Sequence, residues 1–139
     1  MSDGPWLVDT SALARLDRPE VVDVLIPRLT AGLVHVSIVT ELEIGYSARS
    51  TNHYWAVRRA IVDHLLPCAI SLQAEARARQ VQQDLIARGH HRSAGVADLL
   101  VAATAQIEGL TVLHYDADFD MIAEITQQPM EWVVPRGSI

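Results

Sequence analysis

The chain alternates short apolar runs with longer segments of helical periodicity, and this alternation limits the folds that it can adopt. The predicted strands are Trp6–Asp9, Leu33–Ser37, Cys68–Leu72, Leu110–His114 and Met130–Val134. The predicted helices are Ser11–Asp17, Glu20–Ala31, Ile38–Tyr46, His53–Leu66, Ala74–Arg88 and Gly95–Glu108, with a short one around Met121–Ile125. This order predicts an α/β fold, an α/β/α sandwich around a mostly parallel sheet of four to five strands.

Composition narrows the class of protein. The chain has 139 residues and half of them are apolar, so we expect one ordered domain spanning residues 1–139. It contains no apolar run of about 18 residues and no signal-peptide pattern, so we expect no membrane span and a cytoplasmic location. The lone cysteine, Cys68, lies in an apolar run and fits a reducing compartment.

The net charge of −6 argues against a protein that simply coats nucleic acid, since such proteins bind phosphates through basic surfaces. It does not exclude a nuclease whose acidic residues are concentrated in a metal site.

Acidic residues stand at the ends of two predicted strands and in the early turns of two predicted helices. They are Asp9 and Asp116 at the strands and Glu41 and Asp98 in the helices. Because the carboxyl ends of parallel strands and the starts of the following helices share one edge of a sheet, these carboxylates can converge. Two simpler interpretations stay open: Asp9 as the N-cap of a helix, and Asp98 as a complement to the helix dipole.

The third predicted helix carries a second acid, Glu43, two residues after Glu41. Residues two apart are separated by roughly 200° around a helix, so the two side chains cannot face one site. One of them should point into the structure and the other outward.

Four carboxylates held close together repel one another unless cations neutralise them. Oxygen ligands without His or Cys favour Mg²⁺, or alternatively Mn²⁺, over Zn²⁺. Such a metal lowers the pKa of an attacking water and stabilises charge on a phosphate, so the pattern favours phosphodiester hydrolysis. A calcium-binding EF-hand loop beginning at Asp116 is excluded, because Met121 and Gln127 stand where its Gly and Glu belong.

These residues, in this order, resemble the PIN domain and, within it, the VapC toxins of type II toxin–antitoxin pairs. The matching segments are Val8–Leu13, Thr40–Gly45, Ala97–Ala103 and His114–Phe119. They span most of the chain, and the overall length and the order of the elements match as well.

The resemblance implies a Mg²⁺-dependent endoribonuclease, usually a homodimer, that is neutralised by a cognate VapB-type antitoxin. It implies Asp9, Glu41, Asp98 and Asp116 as the catalytic acids and metal ligands. The family pattern Glu-Leu-x-x-Gly assigns the inward position to Glu41 and leaves Glu43 outward.

Other residues are assigned less directly. The resemblance implies that Ser11, or otherwise Thr10, hydrogen-bonds a carboxylate or a metal-bound water. Asp118 is either a fifth acid or a structural cap. His114 departs from the family pattern, in which many members carry Thr, and its contact with substrate is left open.

Two arginines, Arg15 and Arg92, are predicted near the same edge of the sheet, and on that ground alone we expect them to contact RNA phosphates. Two other functions are kept as alternatives. One is a non-catalytic binding module of the same fold, and the other is a metal-dependent phosphohydrolase acting on small molecules.

Overall fold

Five parallel strands form the central sheet of this computed structural model, which describes residues 3–139. In chain order the strands are β1 (Trp6–Val8), β2 (Val34–Val36), β3 (Leu66–Pro67), β4 (Thr111–His114) and β5 (Met130–Trp132). Their order across the sheet is β3-β2-β1-β4-β5, and every neighbouring pair is parallel. The predicted parallel α/β architecture is confirmed.

Within residues 3–139, seven α-helices connect and cover the strands. They are α1 (Thr10–Leu13), α2 (Pro19–Thr30), α3 (Ile38–Tyr46), α4 (Thr51–Ala60), α5 (Leu72–Ala87), α6 (Val96–Glu108) and α7 (Asp118–Thr126). Serine side chains begin three of them, since the hydroxyls of Ser37, Ser50 and Ser71 accept hydrogen bonds from backbone N–H groups in the first turns of α3, α4 and α5. Of the helices within residues 3–139, none combines the length and apolar composition that crossing a bilayer requires.

The sheet separates two apolar cores, as the period-two alternation of strand side chains requires. On one side Val8 and Leu113 pack with residues of α1 and α2, including Leu25. On the other side Leu7 and Val112 pack against α5, α6 and α7. The apolar helix α6 is the most deeply buried of these, and its start lies at the carboxyl edge of the sheet.

Three predicted boundaries were wrong. The fourth helix ends at Ala60 rather than Leu66, because Ile61 leaves helical geometry (φ −128°, ψ −60°) and a 3₁₀ turn, Val62–His64, follows. The third strand is Leu66–Pro67 rather than Cys68–Leu72. The first helix ends at Leu13 and continues as turns rather than helix to Asp17.

The position of β3 explains how a proline fits in it. Among the strands that the structure describes, β3 is an edge strand that pairs with β2 alone, so the missing N–H of Pro67 leaves no ladder partner unsatisfied. Cys68 N–H then donates to the Val36 carbonyl at 2.8 Å, which completes the pairing just after the strand.

Candidate active site

Asp9 lies where β1 ends and α1 begins, beside the carboxyl end of β4. Its backbone N–H donates to the Leu113 carbonyl at 2.9 Å, and its side chain is almost fully buried. One carboxylate oxygen accepts from Ser11 N–H at 2.9 Å, so Asp9 is indeed the N-cap of α1. Burial raises the pKa of Asp9, hydrogen bonds from Ser11 lower it, and the charge of Glu43 raises it.

Three aspartates meet next to this position. Asp98 stands in the first turn of α6, Asp116 follows β4, and Asp118 begins α7. Each offers a carboxylate oxygen, and these oxygens lie within 4.8 Å of one another. The sequence therefore correctly placed Asp98 and Asp116 at one edge of the sheet, and Asp118 joins them there.

Asp98 has two roles in this arrangement. Its Oδ2 accepts from Gly95 N–H at 3.1 Å, which caps the start of α6. Burial is the main cause that raises its pKa to about 6, and the nearby charges of Asp9, Asp116 and Asp118 raise it further. The capping hydrogen bond does not exclude Asp98 from the acidic cluster, because the same carboxylate contacts Gly95 N–H and lies close to the carboxylates of Asp116 and Asp118.

His114, the last residue of β4, is fully buried next to the acidic cluster. Its Nδ1 accepts from Asp116 N–H at 3.1 Å, and its ring packs between Phe119 and Trp132. Burial lowers the pKa of His114 to about 4, so the ring is neutral at pH 7. His114 thus fixes the backbone that carries Asp116.

Asp116 is held by a second contact, since its Oδ1 accepts from Asp118 N–H at 2.9 Å. This turn brings the carboxylates of Asp116 and Asp118 to the same side at the start of α7. Burial, followed by the charge of Asp116, raises the pKa of Asp118.

The two glutamates of α3 face opposite directions, as their spacing predicts, but their assignment differs from expectation. Glu43 Oε1 accepts from Thr10 Oγ1–H at 2.8 Å, and its charge raises the pKa of Asp9. Glu41 Oε1 instead accepts from Arg58 Nη2 at 3.2 Å. The prediction that Glu43 points away from the site is wrong.

The sequence missed Glu43 because the Glu-Leu-x-x-Gly pattern matches at Glu41 and not at Glu43, which is followed by Ile44 and Ser47. The available signal was that only one of the pair could face inward. Contacts with α1 and α4, which the pattern does not contain, decide which one does.

The hydroxyl residues after Asp9 join the elements around the site. Thr10 links α1 to Glu43, and Ser11 Oγ accepts from Tyr115 N–H at 2.9 Å, which ties the start of α1 to the end of β4. The Ser11 side chain also lowers the pKa of Asp9 by hydrogen bonding. Both residues thus contact acids or their supports, while their predicted role toward substrate stays a prediction.

The two predicted RNA-contacting arginines differ in their surroundings. Arg15 Nη1 donates to the Ser11 carbonyl at 2.7 Å, and the guanidinium lies 4.4 Å from the centroid of the Tyr115 ring. Arg92 is exposed in the loop before α6. Arg15 therefore belongs to the surroundings of the acidic cluster through defined contacts, whereas Arg92 has only its loop position.

Comparison with known proteins matches this arrangement to one family. The PIN-domain family model matches residues 6–125. Ribonuclease VapC2 of Mycobacterium tuberculosis (strain CDC 1551 / Oshkosh) is 42% identical over 145 residues, covering 98% of this chain and 97% of the relative. Ribonuclease VapC51 of M. tuberculosis (strain H37Rv) is 42% identical over 134 residues, covering 96% of each.

Solved structures share the fold. The VapBC2 complex of Rickettsia felis, bound to a promoter DNA fragment, matches with a TM-score of 0.78 and 16% identity, over 91% of this chain and 98% of that chain. A DNA-bound VapBC complex of Salmonella typhimurium matches with a TM-score of 0.78 and 19% identity, over 93% and 98%. Together with the sequence relatives, these matches place the protein: the chain belongs to the PIN-domain family and, within it, to the VapC ribonucleases.

Proposed function

We propose that this protein is a Mg²⁺-dependent endoribonuclease, the toxin of a VapBC-type toxin–antitoxin pair that acts in the cytoplasm. The observation that carries the proposal is the cluster of Asp98, Asp116 and Asp118, whose carboxylate oxygens lie within 4.8 Å of one another beside the buried Asp9. Acids this close, none of which forms an ion pair with an arginine within residues 3–139, form a site that attracts a divalent cation.

The donor set fits such a cation. Asp98, Asp116 and Asp118 supply hard oxygen ligands without His or Cys, which suits Mg²⁺ or Mn²⁺. Asp9 and Glu43 complete the proposed acidic set, and Glu43 replaces the predicted Glu41 because it is the one whose charge acts on Asp9. When bound, the metal activates the attacking water and stabilises negative charge on the scissile phosphate.

The side chains around the acids hold them in place. The Thr10 hydroxyl fixes Glu43, the backbone N–H and side chain of Ser11 fix Asp9, and the His114 ring fixes the backbone of Asp116. Positions held by hydrogen bonds of this kind are typical of preorganised metal sites, where such supporting contacts contribute 10- to 100-fold in metal affinity or activity. We therefore assign Thr10, Ser11 and His114 as positioning residues, and keep Arg15 and Arg92 as the proposed contacts to RNA phosphates.

A VapB-type antitoxin is the proposed partner. The related solved structures are complexes of that kind. In this chain a cleft of about 820 Å³ opens between α1, α2, α3 and α4, and much of its lining is apolar, including Leu13, Ile26, Ile44 and Val57. A cleft of this size and composition suits the apolar face of a partner segment.

We also propose a homodimer. Along α3, the side chains of Ile38, Leu42 and Tyr46 are spaced by four residues and are 51%, 65% and 94% exposed. They form an apolar stripe on one helix face, a feature that favours burial against a second copy.

Cleavage of single-stranded RNA by the purified chain tests the proposed activity. We expect Mg²⁺ to support cleavage, EDTA to abolish it, and Asp98→Ala to remove it, while Asp84→Ala, the same change on the exposed face of α5, retains it. Cleavage that persists in EDTA or in Asp98→Ala would overturn the proposal. A panel of small phosphate esters included in the same assay separates this activity from that of a small-molecule phosphohydrolase.

Induction in cells, followed by mapping of new RNA 5′ ends, extends the test. We expect ends that appear with the unmodified chain and not with Asp98→Ala. Ends that appear equally with both chains would contradict the catalytic role of the cluster.

A further inference from the structure

Two aromatic residues follow or end strands at the carboxyl edge of the sheet, where the acidic cluster also lies. Tyr115 immediately precedes Asp116, and Trp132 ends β5, where it pairs in register with His114. The rings of Tyr115 and Trp132 meet edge to face, with centroids 5.2 Å apart and an angle of 87° between the planes. The polypeptide that carries Asp116 is thus continuous with an aromatic surface.

An arginine lies against each ring. The Arg15 guanidinium is 4.4 Å from the Tyr115 centroid, and that of Arg136 is 5.7 Å from the Trp132 centroid. Within residues 3–139 no carboxylate lies within ion-pair distance of Arg15, whose described contacts are the Tyr115 ring and the Ser11 carbonyl. Its positive charge is therefore not neutralised by the fold.

Arg136 is paired, but weakly. Its Nη1 lies 3.7 Å from Asp120 Oδ2, and the two side chains are 67% and 47% exposed. An exposed pair at this distance contributes little free energy, so Arg136 is free to exchange Asp120 for another anion. Arg28 and Arg58, by contrast, are each engaged by a carboxylate at 3.2 Å or less and are less exposed.

The segment that carries Arg136 is anchored to the Tyr115 side chain. The Tyr115 hydroxyl accepts from Gly137 N–H at 3.0 Å and donates to the Ile139 carbonyl at 3.1 Å. Ser138 N–H closes a turn on the Pro135 carbonyl at 3.0 Å. Arg136 is thus presented from a fixed backbone, which lowers the entropy cost of binding a ligand.

The chemistry of this surface matches single-stranded nucleic acid. A phosphodiester approaching the acidic cluster of a chain of net charge −6 needs cations at the edge of that cluster. Unstacked bases of single strands bind aromatic rings and arginine planes, while the guanidinium edges contact phosphates. Neither the acids nor their supporting residues supply these contacts.

We propose that Arg15, Tyr115, Trp132 and Arg136 form a binding site for the single-stranded RNA that flanks the scissile bond, with the arginines on phosphates and the stacked groups against a base. This inference rests on the proposed ribonuclease function and deepens it. It adds Tyr115, Trp132 and Arg136 to Arg15 as groups that contact substrate.

Binding can be measured without cleavage. The probe is a fluorescein-labelled single-stranded RNA of about 12 nucleotides, within the range of site sizes for such surfaces. It is titrated with Asp98→Asn chain in EDTA, and fluorescence anisotropy reports binding. We expect Arg15→Gln and Arg136→Gln each to weaken binding about tenfold and to reduce the slope of log affinity against log salt by about 1. Arg79→Gln, at an exposed position of α5, is the matched control and should bind as its parent does.

A spectroscopic readout locates the contact. We expect RNA to quench tryptophan emission, and Trp132→Phe to lose that quenching although Trp6 and Trp55 still emit. Binding by Arg15→Gln and Arg136→Gln within about twofold of Arg79→Gln would overturn the proposal. So would equal affinity for a duplex RNA of the same sequence, because paired bases cannot stack on these groups.

Two further measurements separate a loss of RNA binding from a loss of the fold. The unmodified chain in EDTA provides the same comparison if Asp98→Asn does not fold, and thermal melting identifies any arginine variant that loses its fold. If the chain binds RNA through these groups but does not cut it with Mg²⁺, the inference stands and the proposed function fails. If the chain cuts RNA while the arginine variants bind normally, the proposed function stands and the inference fails.

Discussion

Glu131 and Asp98 are both carboxylates largely removed from solvent, yet the groups that surround them carry opposite charges. Glu131 accepts from Arg28 Nη1 at 2.6 Å and from Trp6 Nε1 at 3.1 Å, and Arg28 also stacks on the Trp6 ring at 4.2 Å. Asp98 accepts from the backbone of Gly95, and the nearest charges that act on it are three other aspartates. The first carboxylate is neutralised by the fold, whereas the second is left to attract a cation.

The same contrast occurs within a single helix. Glu41 faces Arg58, which also contacts Asp63 at 3.2 Å, while Glu43 faces Thr10 and Asp9. The two residues are of the same type and lie two positions apart on α3. The charge of the partner therefore distinguishes a structural acid from a candidate catalytic acid in this fold.

The largest effect is expected on the cleavage rate, when the two glutamates of α3 are substituted. We expect Glu43→Gln to lower the cleavage rate roughly 100-fold, a typical cost of removing one preorganised electrostatic group from an active site. Glu41→Gln should lower it only a few fold, because its charge is already matched by Arg58. Initial rates, with Mg²⁺ affinity measured by calorimetry, check both variants. A larger loss for Glu41→Gln than for Glu43→Gln would return the catalytic role to Glu41.

A smaller effect, on stability, is expected from the neutralised cluster. Arg28→Met leaves Glu131 without its cation in a site where the side chains are 16% and 12% exposed, so we expect unfolding in urea to require about 2 kcal/mol less. Cleavage should be unaffected. Arg79→Met, which removes the exposed partner of Glu75, should cost under about 0.5 kcal/mol. Equal costs for the two substitutions would show that burial of the Arg28 pair has no energetic consequence.

The smallest effect concerns the cost of the acidic cluster itself, measured in EDTA. The pKa of Asp98 is raised to about 6, so the folded chain holds this proton more tightly than the unfolded chain, and ionised Asp98 is destabilising above pH 6. We expect Asp98→Asn to gain about 1 kcal/mol there, after allowance for solvent screening, and the gain to disappear as the pH falls from 6 to about 4.

Two features of that experiment isolate Asp98. Burial lowers the pKa of His114 to about 4, and its opposite effect on stability is present in both chains and cancels in their difference. Asp84→Asn, on the exposed face of α5, should change stability by under about 0.5 kcal/mol at any pH. A gain from Asp98→Asn that persists at pH 4 would contradict an electrostatic origin.

Much of this arrangement could be predicted from the sequence, because strand-and-helix alternation and the edge rule of parallel sheets depend on local patterns. Those rules are enough to predict that Asp9, Asp98 and Asp116 share one edge of the sheet. The family resemblance was confirmed as well.

The rotation of α3 could not be predicted in the same way. It is set by neighbours distant in sequence: Thr10 on one side, and on the other Tyr54, whose ring would lie 3.3 Å from a Cβ added at Gly45. The limits of β3 escaped prediction for a related reason. A proline is excluded from a central strand and accepted at an edge, and only the sheet order tells the two apart.

The hydrogen bond from Gly95 to Asp98 and the position of Asp118 at the first residue of α7 bear on the stability of the acidic cluster when no cation is bound. Both aspartates stand at helix amino termini, where the aligned peptide dipoles carry partial positive charge. Two helices therefore offset part of the mutual repulsion of the cluster with their own backbones. The polypeptide is therefore expected to keep its fold without a bound cation, so that under the proposed function the metal would control cleavage and not folding.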